Sequence, residues 1–225
     1  MITIHPMTEN DIPSCSALLG ENFHSHKFFS EEYLSWLYFK NPLGKVLGYN
    51  AWNDRNIVGH YATIPIRILR NGITEKSLLS LNSVTDSNFR KQGLFNKLAK
   101  NTYDRAAKDG YSSVIAVANK ASTPSFLNTL GFDLICPLEI SIGFGNLNIN
   151  SSKLKKLSVF RRDWSAQEIV WRKNNPNKQV FIYKRNVMSS ISSRINKLFV
   201  SYAETPFFDK LHDNTFVDRL DFLKL

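Results

Sequence analysis

Cysteine is scarce in this sequence: Cys15 and Cys136 stand alone among 225 residues and belong to no C-x-x-C or other metal or redox spacing. That excludes a disulfide framework and a zinc ribbon, and leaves two buried thiols as the expectation. No apolar run approaches the length needed to span a bilayer, and Met1-Ile2-Thr3-Ile4 lacks a signal-peptide profile, so a cytoplasmic protein is expected. His24-Ser25-His26 has no third ligand at a useful spacing, so no metal site is expected. Acidic residues are missing from one region above all. Residues 151–200 carry twelve Lys or Arg against Asp163 and Glu168 alone, which accounts for the whole net charge of +10. The remainder is neutral, so the basic bias is regional and needs a local explanation.

Hydrophobic content of 43% and charged content of 21% describe a globular chain with a sizeable core. Its organising stretch runs from Leu78 to Phe132. Residues 77–85 alternate and are rich in Leu and Val, as a strand does. Leu94, Leu98 and Ala106 then keep near-helical spacing until Asp109-Gly110 stops the helix. Between them lies Arg90-Lys91-Gln92-Gly93, a basic turn with a glycine. A strand entering a helix through such a turn leaves backbone N–H groups unpaired and pointing one way, which makes an anion site. A short apolar strand (112–118) follows, then Asn119, then a helix opened by Thr123-Pro124, buried through Phe126, Leu127 and Leu130, and closed by Gly131-Phe132.

The run Val84-Thr85-Asp86-Ser87-Asn88-Phe89-Arg90-Lys91-Gln92-Gly93-Leu94-Phe95, with Asn119 and Gly131-Phe132 in register, resembles the GNAT (N-acetyltransferase) superfamily over roughly residues 1–140. The tryptophan and Asn-Pro elements from Trp36 to Pro42 and from Trp171 to Pro176 also look like those of GNAT members from bacterial surface-polysaccharide clusters. The resemblance implies an α/β (α+β) fold with a mixed, mostly antiparallel sheet flanked by helices, and acetyl-CoA as acyl donor. It implies that the backbone from Gln92 through Gly93, Leu94 and Phe95 to Asn96 cradles the pyrophosphate, with Arg90 and Lys91 adding charge. Ser83, Val84 and Thr85 would pair with the pantetheine arm, Asn119 would hold it from the other side, and Phe126 would border the site. Two departures stand out. Phe95 replaces a small residue, and the tyrosine that serves many members as acid falls on Leu127.

Elsewhere, Thr8-x-x-Asp11 reads as a capping box, Ser30 as the cap of a helix over 31–40, and 46–52 and 57–70 as a hairpin through Asn53–Asn56. Asn71-Gly72 is a second hairpin turn. Strands are expected at 133–144. A core over 1–146 would be followed by a basic extension over 147–225, with a helix near 189–200 and an amphipathic tail suited to docking on its own core or on a second subunit. Trp171 to Pro176 echoes Trp36 to Pro42, each followed by a strand-like run, the spacing differing by one residue.

Acyl transfer to an amine requires a neutral nucleophile. No carboxylate is well placed on the central strand. By strand parity His60, Tyr61, Ser80 and Asn82 face the expected pocket, and His60 and Asn82 are the catalytic candidates. A thiol pKa of about 8.5 makes the thiolate a tolerable leaving group without the tyrosine. Three functions fit: a GNAT enzyme acting on a small anionic amine such as a nucleotide- or lipid-linked amino sugar; a GNAT protein gripping RNA or a ribosomal target through its basic segment with Trp164, Trp171, Phe181 and Tyr183; or a CoA-binding module without turnover.

Overall fold

In the computed structural model the described residues are 1–137, 153, 156–178, 180–185, 188–195 and 199–204, those beyond 180 as backbone only. The chain opens with β1 (Ile2–Pro6). Thr8 and Asp11 close a capping box, the Asp11 carboxylate accepting from the Thr8 N–H at 2.8 Å, and α1 (Ile12–Asn22) begins after it. Ser30 caps α2 (Glu31–Phe39), its Oγ accepting from Tyr33 N–H. β2 (Leu47–Asn53), β3 (Asn56–Arg70) and β4 (Ile73–Thr85) form an antiparallel meander. Its second turn places Asn71 and Gly72 at φ +50° and +82°, the left-handed pair a two-residue hairpin needs.

α3 (Leu94–Lys108) crosses back and delivers β5 (Ser113–Ala116), parallel to β4, and α4 (Thr123–Asn128) follows. The order β1-β2-β3-β4-β5 makes a mixed sheet in which only the β4–β5 pair is parallel. The mostly antiparallel sheet flanked by helices is the architecture expected from the sequence. Helices cover both faces. Leu18, Leu19, Leu34, Leu37 and Tyr38 of α1 and α2 pack with Ala62 and Ile64 on one side. On the other, Leu94, Leu98 and Ala99 of α3 pack with Ala51, Val58 and Tyr61. Gly59 lets α3 approach, since a Cβ there would lie 3.2 Å from Leu98 Cδ1.

The basic extension joins this core. β6 (Phe160–Arg162) pairs with the end of β3, and α5 (Ala166–Lys173) packs Trp171 against Trp36, ring centroids 4.7 Å apart. Glu168 is fully buried at that junction. Its carboxylate accepts from the Ser165 N–H and Oγ, both at 2.9 Å, and meets Arg162 at 3.4 Å and Arg67 at 4.0 Å. β7 (Val180–Arg185), β8 (Met188–Ile195) and β9 (Phe199–Glu204) form a separate antiparallel sheet.

The helix expected near 189–200 is therefore corrected to two strands. Met188, Ile191 and Ile195 have helical spacing, but the intervening serines compete for backbone hydrogen bonds in a helix, and the register Ile182↔Ile191 sets apolar residues opposite each other. Residues 131–137 are irregular. The strands expected over 138–144, the boundary after 146 and the amphipathic tail lie outside the described residues. Among the described residues no helix is long and apolar enough to cross a membrane.

Replacing Glu168 with alanine removes the carboxylate half of the α5 capping box and the buried anion that Arg162 and Arg67 share. Loss of one partner of a buried pair costs about 3–5 kcal/mol, and urea denaturation of Glu168→Ala is expected to read a loss of that size. A loss below about 1 kcal/mol, the scale of an exposed pair, would show that the junction is not held by this carboxylate.

Candidate active site

Where β4 passes into α3 the chain makes two local reversals. Asp86 accepts from Asn88 N–H at 2.8 Å and closes a 3-10 turn over Ser87–Phe89, and Lys91 and Gly93 then both adopt positive φ, +62° and +70°. Nothing lies within 4 Å of where a Gly93 Cβ would be, so this residue borders open space. The first backbone bond of the helix runs from Lys97 N–H to the Gly93 carbonyl, which leaves the N–H groups of Leu94, Phe95 and Asn96 ahead of the ladder. They face a cleft of about 610 Å³.

The opposite wall is strand edge. β4 pairs with β5 only from Ser77↔Ser113 to Ser80↔Ala116, and β4 then runs on to Thr85 beside β3 alone. The register on β3 skips from His60↔Val84 to Ala62↔Leu81, so Asn82 and Ser83 both oppose Tyr61. Asn82 is the bulge residue, at φ +50°, a conformation asparagine tolerates better than most. The strands diverge beyond it, leaving room for an extended chain bearing amides.

The placements of the candidate residues are as follows. Ser83, Val84, Thr85, Arg90, Lys91, Gly93, Leu94, Phe95, Asn96 and Asn119 line the cleft, joined by Asn22 and Phe23 from the end of α1. Gln92 is exposed in the turn but is not part of the lining. Arg90 folds back, its Nε donating to the Thr85 carbonyl and its Nη2 to Asn22 Oδ1, both at 3.1 Å. It braces the turn against α1. Asn119 spends its Oδ1 on the N–H groups of Ala121 and Ser122, both at 3.0 Å, so its amide nitrogen is the end suited to a ligand. The ring of Phe95 is tucked edge-on against Tyr61 and Phe126, each at 5.5 Å, so its bulk sits largely in the core.

Three expectations are corrected. Phe126 is 6% exposed and lies in the core behind the cleft wall rather than on it. His60 is 1% exposed and has no face on the cleft. The stacking role considered for Trp164 and Trp171 fails because both are buried, Trp164 under the Arg162 guanidinium at 3.7 Å and Trp171 against Trp36.

His60 belongs instead to a buried chain of polar groups. Asn50 Nδ2 donates to Asp11 Oδ2 at 3.1 Å, which turns its Oδ1 to His60 Nδ1 at 2.7 Å. His60 thus carries its proton on Nδ1, and Nε2 accepts from the Tyr38 hydroxyl at 3.0 Å. The Tyr38 oxygen in turn accepts from Asn82 Nδ2 at 3.0 Å. Burial drives the His60 pKa down to about 3, so the ring is neutral and too weak a base to serve near neutrality. On the other face Tyr61, Ser80 and Tyr103 share hydroxyl hydrogen bonds, and burial raises the pKa of both tyrosines. The sequence reading missed Tyr38, Asn50 and Tyr103. Only strand register and helix packing bring their polar ends together.

The family model described as "Acetyltransferase (GNAT) domain" matches residues 3–135, more than half of the chain. The chain belongs to the GNAT acetyltransferases. It is an acetyl-CoA-dependent N-acyltransferase by family, and the cradle and diverging strands offer the backbone N–H groups that such a donor's phosphates and amides require. A predicted acetyltransferase from Clostridium acetobutylicum, solved with acetyl-CoA, is 17% identical at a TM-score of 0.53, covering 63% of this chain and 96% of that one. A GCN5-related N-acetyltransferase from Ralstonia eutropha is 14% identical at 0.53, over 63% of this chain and 99% of that one. An aminoglycoside acetyltransferase from an uncultured soil metagenomic sample is 15% identical at 0.50, over 64% and 99%. These likenesses show the fold. No curated protein matches the chain.

A neutral buried His60 has a signature in stability. Its pKa is lowered on folding from about 6.5 to about 3, so the unfolded chain binds the extra proton between those values and stability is lost as pH drops through that window. The full contribution is present above pH 6.5, and the slope is about 1.4 kcal/mol per pH unit. Gln keeps a donor and an acceptor at this position. Denaturation of wild type and His60→Gln between pH 7 and 4 should converge as pH falls; parallel curves would mean that His60 is protonated in the folded state.

Proposed function

We propose that the protein acetylates the primary amine of a small anionic acceptor, such as an amino sugar carried on a nucleotide or lipid diphosphate. The reading rests on the cleft: three N–H groups at the α3 start face the same space as the open edge of β4. The amine nitrogen attacks the thioester carbonyl carbon, the C–S bond breaks, and the thiolate takes up the proton that the amine loses. The products are an amide and free CoA. A backbone N–H at the bulge, at Ser83 or Val84, is suited to the oxyanion of the intermediate, a contribution of about 3 kcal/mol per donor in known cases.

Arg90 and Lys91 are the only ionisable side chains among the described residues that line the cleft. With no carboxylate there, the positive field itself disfavours the ammonium form of the acceptor, and its proton leaves to solvent. The same field argues for an anionic acceptor. The aminoglycoside acetyltransferase of like fold acts, by its name, on a different charge class, since aminoglycosides are polycations. A chain of net charge +10 repels such a substrate and attracts phosphates.

Thermal shift with acetyl-CoA, followed by thiol release from a panel of amines, tests the reading. Saturation at about 100 times Kd stabilises by about 2.7 kcal/mol. Nucleotide-linked amino sugars should release thiol and aminoglycosides should not; the reverse order would overturn the acceptor class. Gly93→Asp sets a carboxylate in the cradle and should abolish the acetyl-CoA shift, whereas unchanged affinity would refute the placement of the donor.

The missing base makes a separate prediction. For two acceptors of different amine pKa, the rise of kcat/KM with pH should follow each acceptor's own pKa. A common inflection for both acceptors would reveal a protein base.

A further inference from the structure

α5 and the strands after it repeat, step by step, the unit that carries the donor site. Ser30 caps α2 by accepting from the third helical N–H, and Ser165 caps α5 in the same way, at 3.3 and 3.2 Å. Six residues after each serine stands a tryptophan, Trp36 and Trp171. After each helix an Asn-Pro pair turns the chain, the asparagine Oδ1 accepting from the N–H two residues on: Leu43 to Asn41 at 3.0 Å, Asn177 to Asn175 at 2.9 Å. An antiparallel meander follows in both, with two residues between its first and second strands, β2–β3 and β7–β8.

The two tryptophans meet reciprocally. Their rings stack at 17°, and each indole N–H donates to the other's backbone carbonyl, both at 3.1 Å. An exchange of equal contacts is what a local two-fold axis between like units produces. The sequence contains no glycine after Gly145, so it offers no counterpart of Gly93 to the second unit.

Two side chains after α5 contact the 23–30 segment instead. Asn177 Nδ2 donates to the Phe28 carbonyl, and Lys178 Nζ stands 5.9 Å over the Phe28 ring, within cation–π range. Phe28 packs on Phe29 at 5.0 Å, Phe29 on Phe23 at 5.3 Å, and Phe23 lines the cleft. We propose that residues 165–204 are a second copy of the α2–β4 unit, and that this copy acts by clamping the 23–30 segment, whose Phe23 lines the acyl-CoA cleft. Asn177 and Lys178 are positioning residues in this account, which rests on the donor reading of the cleft.

The test is the full-length Asn177→Ala/Lys178→Ala variant. Both side chains lie at the rim of the core, so the fold should survive, and hydrogen exchange in β3 serves as the reference for global stability. Amides of residues 23–30 should exchange about tenfold faster, β3 amides should be unchanged, and acetyl-CoA affinity by calorimetry should fall about three- to tenfold. Unchanged exchange in 23–30 would overturn the clamp. Faster exchange with unchanged acetyl-CoA affinity would overturn its connection to the cleft. If wild type itself has no affinity for acetyl-CoA, the donor reading falls, and the exchange result decides the clamp alone.

Discussion

One extra residue in β4 sets the conditions for the whole site. Because Asn82 and Ser83 together oppose Tyr61, the strand acquires a sharper local twist at the point where its pairing with β5 ends. An unbulged β4 would carry its ladder on toward Thr85 and close the gap against β5. The divergence keeps a strip of backbone polar groups unpaired, a costly arrangement inside a protein unless water or a ligand satisfies them. The glycine turn adds the unpaired amides of α3 on the same side, so two separate breaks in regular hydrogen bonding converge on one cleft.

A bulge with asparagine in the left-handed region needs support, since that conformation is unfavourable outside glycine. The support is the chain from Asn82 through Tyr38, His60 and Asn50 to Asp11. Each described donor finds one acceptor, and the direction of every bond follows from the neutral imidazole with its proton on Nδ1. Leaving one of these groups unpaired would cost roughly 1–3 kcal/mol, more than the net worth of a single hydrogen bond. The histidine that strand parity pointed to as a base is thus better understood as part of the frame. Burial removes its basicity and gives it a fixed donor and a fixed acceptor in return.

Much of the core was legible in the sequence because its signals are local. Asn71-Gly72, the Ser30 cap, the Thr8 capping box and the Asp109-Gly110 stop each specify a turn or helix end through neighbours a few residues away. The Arg90–Gly93 turn is local too, and the GNAT resemblance extended it to a donor site. What could not be read was which polar groups meet across the sheet. Nothing near Tyr38 in sequence announces His60 or Asn82, and strand parity alone cannot tell an open pocket from a face sealed by α1 and α2. The extension misled for the opposite reason. Met188, Ile191 and Ile195 do keep a helical period, and only pairing with β7 decides for strand.

The regional charge also acquires a physical account at the junction. Asp163 and Glu168 are the only acids of residues 151–200, and both engage residues of the core. Asp163 pairs with Arg67 of β3 at 3.3 Å, and Glu168 is shared between Arg162 and Arg67. Of the segment's own cations only Arg162 is among these partners, and Arg67 belongs to the core. The acids therefore fasten the extension to the core, and the segment keeps its net charge of +10. A segment that served solubility alone would gain as much from interspersed charges of both signs. Committing both acids to the junction preserves a one-signed field around the chain, and such a field raises the local concentration of phosphate-bearing molecules.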